Sequence, residues 1–94
     1  MSNEKIEYYL ENLIIYYLDC VSSAKIYECQ MCMQVMKLLK CPYLYSNEQI
    51  NIYCEFLELI KDQLPKNFAS ELIDDLNESK SSKQVLERIK LYEK

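Results

Sequence analysis

The sequence predicts an all-α protein, a compact bundle of about five short antiparallel-packed helices forming a single domain over residues 1–94. Three observations lead there. Apolar residues recur at intervals of three and four along the chain, which is the period of an amphipathic helix. The breaks between these periodic stretches are short, so neighbouring helices must turn back on one another. The chain also has no glycine among its 94 residues, and tight two-residue β-hairpins depend on that residue for positive φ. At this length one domain buries roughly two-thirds of its unfolded surface and needs no covalent staples.

The first helix is expected over 4–20, with Ile6, Tyr9, Leu10, Leu13, Tyr17 and Cys20 in one stripe and Ile14 and Val21 on its edge. The run from Leu13 to Leu18 has the β-branched and aromatic character of a strand. The helical spacing that begins at Ile6 nevertheless continues through it, and Ser22-Ser23 makes the first break. The second helix is expected over 24–41. At roughly 100° per residue, Tyr27, Cys29, Met31, Cys32, Val35, Met36, Leu38 and Leu39 fill one broad arc, with Ile26 and Met33 outside it. An arc that wide needs two or more neighbours, which makes this the central helix. Pro42 ends it.

Ser46-Asn47-Glu48-Gln49 has the spacing of a capping box and opens a third helix over 47–64, with Ile50, Tyr53, Leu57, Ile60 and Leu64 facing inward. Pro65 stops it, and a fourth helix over 66–78 turns Phe68, Leu72, Ile73 and Leu76 inward with Glu71, Asp74, Asp75 and Glu78 opposite. Ser81 or Ser82, with Gln84 completing a second box, is expected to start a fifth helix. There Val85, Ile89 and Tyr92 pack, and Lys90 and Lys94 suit the negative pole of the helix.

Composition excludes several classes of function. Without glycine, phosphate-cradling loops and nucleophile elbows lose the residue they depend on. Without histidine, the commonest general base and metal ligand is gone, and with it every Cys–His or Ser–His arrangement. A net charge of −4 argues against nucleic acid as a partner, because duplex affinity comes from lysine and arginine on phosphates. The imbalance is local: residues 48–79 hold eight acids and two bases. No positively charged, apolar leader is apparent at the start, and the longest large-apolar run, Leu13 to Leu18, is far short of the about 20 residues a membrane span needs. The expectation is therefore an intracellular chain, cytoplasmic or nuclear, with its five cysteines reduced. Abundant Lys, Ile, Asn and Tyr with a single Arg suggest an AT-rich coding genome, such as that of a parasite or a large DNA virus.

Candidate chemistry begins with Cys29-Gln30-Met31-Cys32. Two thiols three apart share a helix face, and Cys20 approaches them if the first two helices form a hairpin. Cys20, Cys29 and Cys32 are thus the candidate ligands of a small thiolate zinc site, with Asp19 or Glu28 as the only available fourth ligand. The competing reading is that these are small buried hydrophobes. A redox role is disfavoured because the pair sits mid-helix among Met and Leu, not at a helix N-terminus. Glu55, Glu58 and Asp62, and Glu71, Asp74 and Glu78, lie opposite apolar stripes and read as solvated faces. The serines fall at breaks, where capping accounts for them. The expectation is no enzyme and no cofactor.

Apolar residues on outward faces remain. Tyr8 and Ile15 lie among Glu4, Glu11, Asn12 and Asp19, and Ile52, Phe56 and Leu59 form a second stripe on the third helix. These five are the candidate partner-binding residues, since contiguous exposed apolar surface marks interaction sites and tyrosine is favoured there. The expected partner is a helix or helical domain of basic character, or a second copy of the chain, with no nucleic acid and no membrane. Truncating an anchor such as Phe56 is expected to cost about 2 kcal/mol or more of binding.

Overall fold

Two prolines and two left-handed residues set most of the helix ends. The structure, a computed structural model, describes the backbone of residues 3–92 and the side chains of residues 3–81. Four α-helices follow one another: α1 (Asn3–Ser22), α2 (Ile26–Lys40), α3 (Asn47–Ile60) and α4 (Phe68–Tyr92). Single 3-10 turns at Pro42–Leu44 and Lys61–Gln63 lie on either side of α3, and no strand occurs among the described residues.

The end of α1 is a Schellman motif. Lys25 N–H donates to the Cys20 carbonyl at 2.9 Å and Ala24 N–H to that of Val21 at 3.2 Å. Ala24 occupies the left-handed position, at φ 57°, where a Cβ crowds the carbonyl and glycine is the usual occupant. Ala24→Gly is therefore expected to stabilise the protein by about 1 kcal/mol, read as a raised denaturant midpoint at unchanged slope. Asn67, at φ 65°, stands in the same region just before α4, where its short polar side chain makes the conformation tolerable.

Pro42 ends α2 as its missing N–H and ring require. The capping box of α3 is complete: the Ser46 hydroxyl accepts from Gln49 N–H at 3.2 Å, and Gln49 Oε1 accepts from Ser46 N–H at 2.8 Å. The α-helix stops at Ile60, earlier than the spacing predicts, because the chain tightens into a 3-10 turn and Leu64 is extended at ψ 161°, the state favoured before proline.

The expected fourth and fifth helices are one. The helix runs unbroken from Phe68 to Tyr92 through Ser79-Lys80-Ser81-Ser82. Ser81 does not cap a new helix; its hydroxyl donates back to the Asn77 carbonyl at 3.5 Å, the usual recourse of a serine inside a helix. With neither Gly nor Pro in the segment, nothing obliges a break. The side chains of Ser82, Gln84, Val85, Ile89, Lys90, Tyr92 and Lys94 lie outside the described residues.

Consecutive helices pack against each other, and α4 returns beside α1. The core comprises Tyr9, Leu13, Tyr16 and Cys20 of α1, Cys32, Val35, Leu38 and Leu39 of α2, and Ile50, Tyr53, Phe56, Leu57 and Ile60 of α3. Leu64 and α4's Phe68, Ala69, Leu72 and Leu76 complete it. The inward stripes expected of the third and fourth helices agree with this core. Phe56 is a correction: expected on an outward stripe, it is 3% exposed and belongs to the core. Tyr27 is the converse, placed by periodicity in the apolar arc of α2 but 62% exposed. It sits in the first turn of its helix, at one end of the bundle.

Candidate interaction surface

Two tyrosine–carboxylate pairs tie α1 to its neighbours. The Tyr9 hydroxyl donates to Asp75 Oδ2 of α4 at 2.5 Å, and Lys5 Nζ lies 3.0 Å from the same oxygen. The Tyr16 hydroxyl donates to Glu28 Oε2 of α2 at 2.6 Å, and the Cys20 thiol approaches that oxygen at 3.5 Å. Burial works against the charged form of Asp75, but hydrogen bonds from Tyr9 and Lys5 outweigh it and hold the carboxyl below its ordinary range. The bond from Tyr16 does the same for Glu28, helped against burial by Cys20 and Lys25. Both phenols are pushed upward, chiefly by burial and then by their carboxylate partners. Asp75 is thus no member of a solvated acidic face.

Among the described residues no group of three or more His, Cys, Asp or Glu is placed to hold an ion. Cys20, Cys29 and Cys32 are therefore not arranged as the three-ligand cluster that the thiolate alternative expects. Cys20 and Cys32 are fully buried and Cys29 is half-buried. Burial pushes Cys32 up to about 12 and raises Cys20 and Cys54 as well, so these thiols are held protonated. A cleft of about 310 Å³ has Leu38, Leu39 and Leu76 among its lining residues, with Lys40, Asp75 and Glu78 beside them. Its Asp75 is already committed to Tyr9 and Lys5.

Of the candidate partner-binding residues, Ile15, Ile52 and Leu59 are 62%, 52% and 78% exposed, and Tyr8 is 41% exposed. Tyr8 lies at the rim of an aromatic group, its ring centroid 5.7 Å from Tyr9 and 5.8 Å from Phe68, so part of its surface is already used. Ile14 and Val21, which periodicity puts on the edge of the core stripe of α1, are part of a further exposed stripe. Ile14, Leu18 and Val21 follow one another at i, i+4 and i+7 and are all exposed. On this flank Leu10 and Tyr17 are the α1 residues half-buried against the core, and no helix among the described residues covers the rest.

α3 presents the more organised surface. Glu48, Ile52, Glu55, Leu59 and Asp62 are all exposed and succeed one another at alternating steps of four and three. From Glu48 to Leu59 that spacing is a single ridge along α3, on which acids and aliphatic side chains alternate, and Asp62 follows in the 3-10 turn beyond the helix. Glu58, beside it, is 3.8 Å from Lys61. Beneath Ile52 and Leu59, on the next ridge inward, lies Phe56. The exposed Tyr27 ring of α2 meets Phe56 edge-on, with centroids 6.3 Å apart at 81°. Periodicity alone identifies the aliphatic residues of the ridge. It misses Tyr27, whose contact with Phe56 spans two helices.

Among the described residues no helix is long and apolar enough to cross a membrane. No protein-family model, curated protein or solved structure matches the chain.

Proposed function

We propose that the chain is a non-catalytic protein–protein interaction module that binds a basic amphipathic helix along the α3 ridge Glu48–Ile52–Glu55–Leu59 and the turn residue Asp62 after it. The observation that carries this reading is the alternation itself. Two aliphatic side chains stand exposed at i and i+7 with carboxylates before, between and after them. A partner helix with aliphatic and Lys or Arg residues alternating at the same spacing sets its apolar side chains beside Ile52 and Leu59 and its cations against the acids. Apolar burial supplies most of the affinity, and the acids speed encounter and reject acidic partners.

Charge also weighs against a second copy as the occupant. The ridge is acidic, and the α1 stripe is likewise attended by Glu7 and Glu11, so pairing either face with itself sets like charges together. The absence of histidine and the committed state of the Tyr9 and Tyr16 phenols support the non-catalytic part of the reading.

A suitable probe is a synthetic helical peptide with leucine and lysine alternating at steps of four and three, alongside a peptide of the same composition in scrambled order. Fluorescence anisotropy is expected to show saturable, salt-sensitive binding of the first only. Leu59→Asp is expected to weaken it by about 30-fold, the worth of one central anchor, while leaving the thermal midpoint unchanged. Equal binding of both peptides, or no effect of Leu59→Asp, contradicts the assignment. Light scattering of the isolated chain reads the competing outcome, a dimer.

A further inference from the structure

Resting on that reading, we propose that Tyr27 is a displaceable cover over an anchor pocket: an apolar anchor residue of the partner helix swings the Tyr27 ring off Phe56 and takes its place beside Ile52 and Leu59.

The three tyrosines Tyr9, Tyr16 and Tyr27 are held in different ways. The first two are buried, and each is fixed at its hydroxyl by a carboxylate. Tyr27 is 62% exposed, and among the described residues its hydroxyl has no hydrogen-bond partner. Its ring is held by the edge-on contact with Phe56, an interaction weak enough to exchange for an equivalent one. Phe56 itself is 3% exposed, so an aromatic floor lies directly under a loosely held aromatic cover.

The backbone at this point is fixed even though the side chain is not. Glu28, the next residue, is bonded by Tyr16 and Cys20 and lies 3.8 Å from Lys25. Displacing the ring is therefore a rotation about χ1, with no movement of α2. In a helix interior the χ1 rotamer near +60° is blocked by the preceding turn. Tyr27 is the second residue of α2 and has no preceding turn, so that rotamer is open to it. The vacated space is the size of one ring and is floored by Phe56, which suits a single Leu, Met or Phe side chain. The partner is thus a basic amphipathic helix with one dominant apolar anchor, placed opposite the interval between Ile52 and Leu59.

The test measures the leucine–lysine peptide against wild-type protein, Tyr27→Ala, Tyr27→Phe and Leu59→Asp. A cover that must be displaced lowers affinity by the fraction of time it is closed. Tyr27→Ala is accordingly expected to bind about two- to tenfold more tightly, the worth of one aromatic pair, and Tyr27→Phe to bind like wild type. Weaker or unchanged binding by Tyr27→Ala overturns the cover while leaving the ridge intact. Binding by Leu59→Asp as tight as by the wild-type protein overturns the ridge itself. Ring-labelled tyrosine NMR of the wild-type protein gives a second readout that needs no variant to fold. At peptide saturation the Tyr27 ring signals are expected to lose the ring-current displacement caused by Phe56, and their persistence overturns the proposal.

Discussion

Truncation of Phe56 to alanine is expected to destabilise the fold by about 3–5 kcal/mol, the cost of deleting a packed aromatic side chain and leaving a cavity. Phe56 is 3% exposed in a core it shares with Tyr53, Leu57 and Ile60 of the same helix. Removing the ring also deprives Tyr27 of its contact. Denaturant unfolding checks this, and Leu59→Ala is the control: at 78% exposure it is expected to change stability by less than about 0.5 kcal/mol. The pair separates interior from surface on one helix. A reversed order would place the interaction ridge on the wrong side of α3.

The second large effect concerns the carboxylates that hold the buried phenols. Asp75→Ala leaves the fully buried Tyr9 hydroxyl without its acceptor, and Glu28→Ala removes the nearer acceptor of Tyr16, whose hydroxyl keeps only Gln63 Oε1 at 3.3 Å. Each is expected to cost about 1–3 kcal/mol. The same contacts give the protein a stability optimum in pH. Asp75 and Glu28 titrate below their ordinary range. Their contribution is thus complete above the unfolded carboxylate range, near pH 4, and is lost as pH falls through the lower folded values. On the alkaline side the sign reverses. Cys32, Tyr9 and Tyr16 are raised, so stability is full below their unfolded values and declines as pH rises. The decline begins at about 8.5 for the thiol and about 10 for the phenols. Unfolding free energy measured across pH is expected to fall at both ends. In Asp75→Ala and Glu28→Ala the acid limb is expected to flatten.

Much of the fold is legible in the sequence where local signals agree. For α3 the serine–glutamine box, the inward spacing from Ile50 to Leu64 and the proline at 65 all point the same way, and the core residues follow. Legibility fails where the deciding contact is distant in sequence. The Tyr9–Asp75 bond joins residues 66 apart, and no periodicity places that carboxylate indoors. Phe56 lies by helical angle between the core residue Tyr53 and the outward Ile52, and what settles its burial is whether a neighbour reaches it. Tyr27 does, from the first turn of α2. The break expected near Ser81 fails for a local reason instead: a serine that can cap a helix can also bond back within one.

The exposed aliphatic residues are legible in part. Ile15, Ile52 and Leu59 are surface residues, as their acidic surroundings imply. Ile14 and Val21 look in sequence like the margin of a core stripe, yet with Leu18 they are exposed, because none of the four helices among the described residues packs over that side.

Backbone amide chemical-shift mapping of the isotope-labelled chain, titrated with the leucine–lysine helical peptide, tests the central claim most directly. Saturable shifts concentrated along Glu48–Asp62 and in the first turn of α2 around Tyr27 are the predicted result. Shifts centred on Ile14, Leu18 and Val21 instead, or the same pattern with the scrambled peptide, would contradict it.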